Sequence, residues 1–322
     1  MSDLARIAIY GDIHLCSKNY GGHRDYPNES LRYFTKITEI AEENQVTHII
    51  GCGDLTFGRF NTLEYRLEVE KLLTRQYQLT NGNRYELQGN HDIASYGKTE
   101  RDFYIDKGWI KPSENLTIGN YNIMMVDYGK TDTTSINIID SPEYVNIAIA
   151  HDYYKFKDTK LPNFGSAIEL DNYDKWYGLD LLICGHVHKQ MVFKGNVIKG
   201  DNKHELTVHY PGCATRPAFR EGMMDKTGQV VLLTITEDGK LLYDVKEFDL
   251  LTLDEAFNLE DRAAKKIKEQ EKNEKVDISD VVKQLDARNV SIGDPIDIIS
   301  SMENVDDKFK SKAIDLLKRA MA

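Results

Sequence analysis

Short apolar runs alternate with amphipathic segments along the first 250 residues of the chain. Apolar residues recur at helical spacing within 31–40 and 63–79, which predicts two helices that each bury one face. The apolar runs predict strands at 6–10, 47–52, 85–88, 122–126, 145–150, 181–184, 206–210, 230–235 and 241–248. The start of the chain therefore has the pattern of a βαβ unit, and strands dominate the second half.

The pattern changes after residue 250. Residues 260–275 are nearly all charged, and short amphipathic stretches without strand signals follow. We therefore divide the chain into a domain at 1–250, a charged linker or helix at 251–276, and a helical tail at 277–322. The apolar faces of the tail helices must be buried against the domain or against a partner.

Composition limits the function classes. At 322 residues and 41% hydrophobic content, the chain can bury a large core. No apolar run approaches the roughly 18 residues of a membrane span, and the four cysteines lack a CxxC spacing, so we expect a cytoplasmic protein with reduced thiols and no membrane partner. With a net charge of −11, any binding of nucleic acid must use a local basic patch.

Polar side chains follow five of the predicted strands. Each motif alone is more often a turn or a core histidine, but the carboxyl ends of strands in an α/β fold line one crevice, where these side chains would converge. Imidazole and carboxylate together suit Mn, Fe or Zn. The residues are Asp12 and His14, then Asp54, then Asn90, His91 and Asp92, then His151, and finally His186 and His188.

These five motifs, YGDIH, GCGDL, QGNHD, AHD and GHVH, resemble those of the calcineurin-like metallophosphoesterase superfamily. The resemblance implies a four-layer α/β/β/α sandwich with two divalent metal ions, expected to be manganese. It assigns one metal to Asp12, His14 and His188, the second to Asn90, His151 and His186, the bridge between them to Asp54, and contact with the phosphate to His91.

Two further segments are similar to SbcD-type nuclease subunits of recombination exonucleases: DIHLCSKNYGGHRDYPNESLRYF and YPGCATRPAF. In the second, Cys213 stands where that family usually has serine. Cations and aromatic rings can hold a phosphate backbone and stack a base, although a Pro-Gly turn with incidental arginines would also explain the second segment. The candidate DNA contacts are Lys18, Tyr20, Arg24, Arg216 and Arg220, with His23 and Tyr26 in the same basic, aromatic loop.

The resemblance to SbcD-type subunits also concerns the tail. In that family, helices after a linker bind the coiled coil of an SMC-like ATPase, and the tail is similar in order and size. The tail is too short to hold a capping domain as well, which indicates a minimal, phage-type version. The implied protein is a homodimer that acts on DNA in recombination or repair, in a bacterial or phage-infected cell.

Three functions stay open on sequence alone. The first is a DNA nuclease, with exonuclease or endonuclease activity, that works with an ATPase partner. The second is a stand-alone phosphatase or nucleotide phosphodiesterase, which would need neither the basic loop nor the tail. The third is a scaffold whose site has lapsed, which the complete set of motifs disfavours.

Overall fold

A computed structural model describes residues 3–19, 22–57, 61–94, 97–130, 136–159, 166–172, 174–215, 225–260 and 314. The chain divides into two compact units, Met1–Leu259 and Glu260–Ala322. Apart from Glu260 and Ile314, the second unit lies outside the described residues, and so does the predicted tail at 277–322 apart from Ile314.

Two large β-sheets form the centre of the first unit. One has the strand order β13-β12-β1-β2-β3 and the other the order β10-β11-β9-β6-β5-β4, while β7 and β8 form a separate pair. The strands are β1 (Asp3–Tyr10), β2 (His48–Gly51), β3 (Arg84–Glu86), β4 (Leu116–Ile118), β5 (Tyr121–Val126), β6 (Val145–His151), β7 (Tyr154–Lys155), β8 (Ile168–Glu169), β9 (Leu181–Gly185), β10 (Met191–Lys199), β11 (Asn202–Tyr210), β12 (Thr227–Thr236) and β13 (Leu241–Asp249).

The described residues form four α-helices besides the sheets: α1 (Tyr26–Glu43), α2 (Leu63–Leu79), α3 (Glu100–Asp106) and α4 (Leu253–Ala256). The side chain of Asp25 caps the start of α1, and the hydroxyl of Thr62 accepts from the amide of Tyr65 at the start of α2. Both predicted helices are confirmed. Among the described residues, no helix combines the length and apolarity needed to cross a bilayer.

The strands alternate their side chains between layers. Ile7 and Ile9 of β1 pack between the two sheets, whereas Ala8 and Tyr10 face the layer of α1, α2 and α3. The second sheet repeats this pattern, with Ile149 of β6 facing the first sheet and neighbouring residues facing outward. The predicted α/β sandwich built on two sheets is confirmed.

The outermost layer on the second sheet is built from short elements. Within the described part of the chain, it contains 3-10 turns at Leu170–Asn172 and Asp174–Trp176 and the small sheet of β7 and β8, with Trp176 fully buried. Strand β10 was not predicted, since it is an edge strand on which exposed and half-buried residues alternate.

The first unit extends past the predicted boundary at residue 250. The backbone amide of Arg24 donates to the carbonyl of Ala256 at 2.8 Å, and that of Asn258 donates to the carbonyl of Gly22 at 2.9 Å. Ala256 and Phe257 are buried. Residues 251–258, assigned to the linker on sequence, therefore belong to the folded domain, because two apolar residues there complete its core.

A buried polar network lies behind the loop that follows β2. Arg84 and Glu86 are fully buried and form an ion pair at 2.7 Å, and the hydroxyl of Tyr10 also donates to Glu86 at 2.7 Å. The other oxygen of Glu86 accepts from the amide of Gly53 at 3.3 Å. The network therefore links the core to the backbone immediately before Asp54.

Candidate metal centre

Five strand ends from both sheets meet at one place. Strands β1, β2 and β3 pair in parallel in the first sheet, and β6 and β9 pair in parallel in the second. Their carboxyl ends carry the seven predicted ligands, of which Asp12, His14, Asp54 and His151 are almost completely buried. The fold thus brings together side chains that are far apart in sequence.

One group of donors surrounds Asp12. The Nε2 atoms of His14 and His188 are 3.1 Å apart, and Nε2 of His188 is 3.2 Å from Oδ2 of Asp12. The same carboxylate oxygen is 3.8 Å from Nε2 of His14. These three residues are the set predicted for the first metal.

A second group surrounds Asn90. Its Oδ1 atom is 2.8 Å from Nδ1 of His186 and 3.1 Å from Nε2 of His151. Oδ2 of Asp54 lies 3.5 Å from Nε2 of His151 and 3.8 Å from Nε2 of His14, so a single oxygen is near both groups. This is the position that a bridging carboxylate requires.

The spacing of these donors fits a metal site. Two ligand atoms bonded at about 2.1 Å to one cation, at the angles of tetrahedral or octahedral geometry, are roughly 3.0–3.4 Å apart. The donor pairs within the two groups lie between 2.8 and 3.8 Å. Two imidazole lone pairs at 3.1 Å, as in His14 and His188, repel each other unless a proton or a cation lies between them.

The charges of the site also favour a cation. Among the described residues, Asp12 and Asp54 have ion pairs only with histidines. Burial opposes protonation of His151, yet Asp12 and Asp54 raise its pKa to about 9. Burial lowers the pKa of His14 to about 3 and also lowers that of His186, which leaves their imidazoles neutral as ligands must be. The buried carboxylates thus attract positive charge, which a proton on His151 or a bound cation can supply.

The backbone holds the ligands in uncommon conformations. His14, Asp54 and His186 have φ values of 51°, 54° and 78°, in the left-handed region that side chains other than glycine seldom adopt. A Cβ at Gly89 would lie 2.1 Å from Oδ1 of Asp54, so only glycine fits there. Asp54 is therefore positioned by its own left-handed backbone conformation and by the close approach of the backbone at Gly89.

Backbone groups also orient the ligand side chains. Nδ1 of His151 donates to the carbonyl oxygen of Cys52 at 2.7 Å, so Nε2 faces Asp54 and Asn90 and would offer its lone pair to a cation that replaces its proton. The amide of His186 donates to both oxygens of Asp12, at 3.0 and 3.1 Å. The sequence does not predict these contacts between backbone and side chain, because they join segments that are far apart along the chain.

Asp92, which follows His91 in the third motif, contacts backbone amides. It is fully buried, and its Oδ2 atom accepts from the amides of Asp54 at 2.8 Å and Gly89 at 3.0 Å. Burial, reinforced by the charge of Asp54, raises the pKa of Asp92 to about 8. Asp92 therefore joins the loops after β2 and β3 through their backbones.

His91 is exposed at the edge of the two donor groups. Its backbone amide donates to Oδ1 of Asp54 at 2.8 Å, and its ring packs against Phe57 with centroids 4.7 Å apart. A ring nitrogen of His91 also lies within 4.8 Å of ligand atoms of His14 and Asp54. The side chain can reach a phosphate at the centre, or it can serve as a ligand.

Two members of the predicted DNA-binding loop are unavailable to a substrate. Tyr26 is fully buried and its hydroxyl donates to the carbonyl of His14 at 2.9 Å. His23 is buried against Phe257 and lies 3.0 Å from Glu29. Both rings complete the core beneath the loop and do not face solvent.

The other predicted DNA contacts are exposed or outside the described residues. Lys18 and Arg24 are exposed, and Nε of Arg24 donates to the carbonyl of Asp254 at 2.9 Å. Tyr20, Arg216 and Arg220 lie outside the described residues. Only Lys18 and Arg24 are thus placed by the structure.

Three residues near the centre were not identified as functional from sequence. Phe57 packs against His14 as well as His91, and Tyr128 packs against His151 and His186, with ring centroids 4.7–6.0 Å apart. The sulfur of Cys213 lies within 4.8 Å of ring nitrogens of His14 and His188. Neither Phe57 nor Tyr128 could be predicted to lie at the centre, because both are in loops and outside the five motifs.

The comparison with protein families agrees with the motifs. Residues 5–190 match the calcineurin-like phosphoesterase family. No curated protein matches the chain. Among solved structures, a dimetal phosphatase from Danio rerio is similar at 10% identity with a TM-score of 0.41, over 78% of this chain and 100% of that chain.

Proposed function

The chain belongs to the calcineurin-like phosphoesterase family, and we propose that it is a dinuclear phosphodiesterase that cuts DNA in recombination or repair. As a member of this family it is a metal-dependent phosphoester hydrolase. The observation that supports two metals is the pair of donor groups that share one oxygen of Asp54. The proposed ions are manganese.

The residues of the centre have separate tasks in hydrolysis. The two donor groups would hold divalent cations, which would supply an activated water and stabilise charge on the phosphoryl oxygens. Asp54 offsets the repulsion between two cations because it presents a carboxylate to both donor groups. His91, held beside Phe57, donates a hydrogen bond to the phosphate or a proton to the leaving oxygen.

DNA as the substrate is supported by groups around the centre. Lys18 is an exposed cation four residues after His14, in a chain whose net charge of −11 otherwise repels phosphates. Phe57 and Tyr128 place aromatic rings beside the two donor groups, where a nucleobase could stack. A phosphatase or nucleotide phosphodiesterase that acts alone is the alternative, and it would not need Lys18.

We expect the purified protein with manganese to cut labelled DNA as well as a chromogenic phosphodiester. Replacing Lys18 with alanine should weaken DNA binding and lower the slope of log affinity against log salt by about 1, because one phosphate contact is lost. Lys71→Ala is the matched control, since Lys71 is an exposed lysine of α2 that pairs with Glu68. Hydrolysis of small phosphomonoesters without any cleavage of DNA would favour the alternative.

The partner proposals rest on the tail. An SMC-like coiled-coil ATPase bound through 277–322, and a homodimer, are implied by the similarity of the tail to SbcD-type subunits. These residues, apart from Ile314, lie outside the described residues, whereas the proposed ligands all precede residue 189. The catalytic centre and the proposed partner site are thus in different units of the chain.

A chain that ends at residue 276 should keep metal binding and hydrolysis of a small phosphodiester near the rates of the full chain. It should lose co-purification with an SMC-like ATPase and any ATP-stimulated cutting of duplex DNA. Pull-down and cleavage assays on both chains measure this. If truncation unfolded the protein, and tail amides of the full chain were strongly protected from hydrogen exchange, the tail would be part of the domain and the partner proposal would fail.

A further inference from the structure

Cys213 is fixed beside the first donor group by its backbone. Its amide donates to the carbonyl of His188 at 3.3 Å, and the next amide, of Ala214, donates to the carbonyl of Asp12 at 3.0 Å. A Cβ at Gly11 would lie 2.0 Å from the carbonyl oxygen of Gly212, so this segment packs directly on the backbone before Asp12. Cys213 is therefore held between two predicted ligands of one metal.

The side chain of Cys213 is near the same metal position. Its sulfur and the ring nitrogens of His14 and His188 all lie within 4.8 Å of one another. The residue is 5% exposed, and its sulfur is 3.5 Å from the hydroxyl of Thr215. Cys52 and Cys184 are also buried, but among the described residues neither belongs to a group of candidate ligands.

We propose that Cys213 supplies a thiolate to the first metal position and makes that position selective for thiophilic cations such as Zn²⁺, Co²⁺ and Cd²⁺. Thiolate is a soft ligand that these ions bind strongly, whereas Mn²⁺ prefers carboxylate and other oxygen donors. Binding forms a metal–sulfur bond and releases the thiol proton to solvent, without oxidation or reduction.

The consequence is a centre with two modes of occupancy. The nitrogen and oxygen donors of Asp12, His14 and His188 accept Mn²⁺ without the sulfur. A thiophilic ion gains the additional sulfur bond, so it should displace Mn²⁺ at the first position. This inference concerns metal binding alone and holds whichever phosphoester the protein hydrolyses.

Cobalt provides a direct test, because a Co²⁺–thiolate bond gives an intense charge-transfer absorption in the near ultraviolet. The full-length wild-type protein loaded with Co²⁺ should show this band, and Cys213→Ser should lose it. Cys16→Ser is the matched control, since Cys16 is also buried but lies in no candidate ligand group of the described residues, and it should keep the band.

Affinity gives an independent measure. In calorimetric titrations, Cys213→Ser should bind Cd²⁺ and Zn²⁺ about 10- to 100-fold more weakly than wild type, the size of effect typical for residues that tune a metal site. Its affinity for Mn²⁺ should be unchanged.

Two results would overturn the proposal. One is a wild-type protein that binds Co²⁺ without the charge-transfer band, and the other is a folded Cys213→Ser variant that keeps the band. If the serine variant does not fold, cadmium NMR of the wild-type protein decides, because a thiolate ligand moves the cadmium resonance strongly downfield. A resonance typical of nitrogen and oxygen ligands alone would then exclude Cys213.

Discussion

Asp54→Ala should abolish manganese-dependent phosphodiester hydrolysis and leave the fold intact. One oxygen of Asp54 lies 3.8 Å from His14 and 3.5 Å from His151, so the substitution removes the one carboxylate that faces both donor groups. Since bound cations contribute several kcal/mol to stabilising the transition state, we expect a loss of at least about 10³-fold in kcat/KM. Steady-state kinetics, with calorimetric counting of bound Mn²⁺, measures the effect.

The control for Asp54→Ala is the same substitution at an aspartate outside the centre. Asp106 ends α3, is exposed and pairs with Lys98, so Asp106→Ala should keep full activity. His186→Ala should behave like Asp54→Ala because His186 lies 2.8 Å from Asn90 in the second group. If Asp54→Ala or His186→Ala cleaved at the wild-type rate while circular dichroism showed a native fold, a centre with two metals would be contradicted.

His91→Ala should keep both metals but lose about 10²–10⁴-fold in kcat, the contribution typical of a general acid or base. The backbone amide of His91, which donates to Asp54 at 2.8 Å, is retained in the variant, so the position of the bridging carboxylate should not change. Only the exposed imidazole that can reach the phosphate is removed. Kinetics and calorimetric titration with Mn²⁺ separate the chemical step from metal binding.

His48→Ala is the matched control for this variant. His48 is a half-buried histidine at the first residue of β2, at the opposite end of the strand from the centre, and its loss should change neither kcat nor metal binding. If His91→Ala bound only one metal, His91 would have to be assigned as a ligand. A ring nitrogen of His91 lies within 4.8 Å of ligand atoms of His14 and Asp54, which is the group that such a ligand would join.

The sequence predicted most of the elements that position the centre. Helix α2 has the predicted bounds, because Thr62 caps its first turn and the Asn-Gly pair at 81–82 follows its end. Strand β10 was missed, because Gly195 and exposed polar residues such as Lys194 obscure the apolar alternation of an edge strand. Internal strands carry a strong local signal since both of their faces are buried.

The sequence by itself predicted which side chains would converge as candidate metal ligands, because each follows an apolar strand and the carboxyl ends of parallel strands lie at one edge of a sheet. Only the tertiary structure decided that β6 and β9 lie in a second sheet facing the first, so that one oxygen of Asp54 comes near both donor groups. It also decided that Tyr26 is buried and that Cys213 lies beside His14 and His188. Periodicity reports whether a residue faces the core, whereas the identity of its neighbours depends on strand pairing between distant segments, which no local pattern specifies.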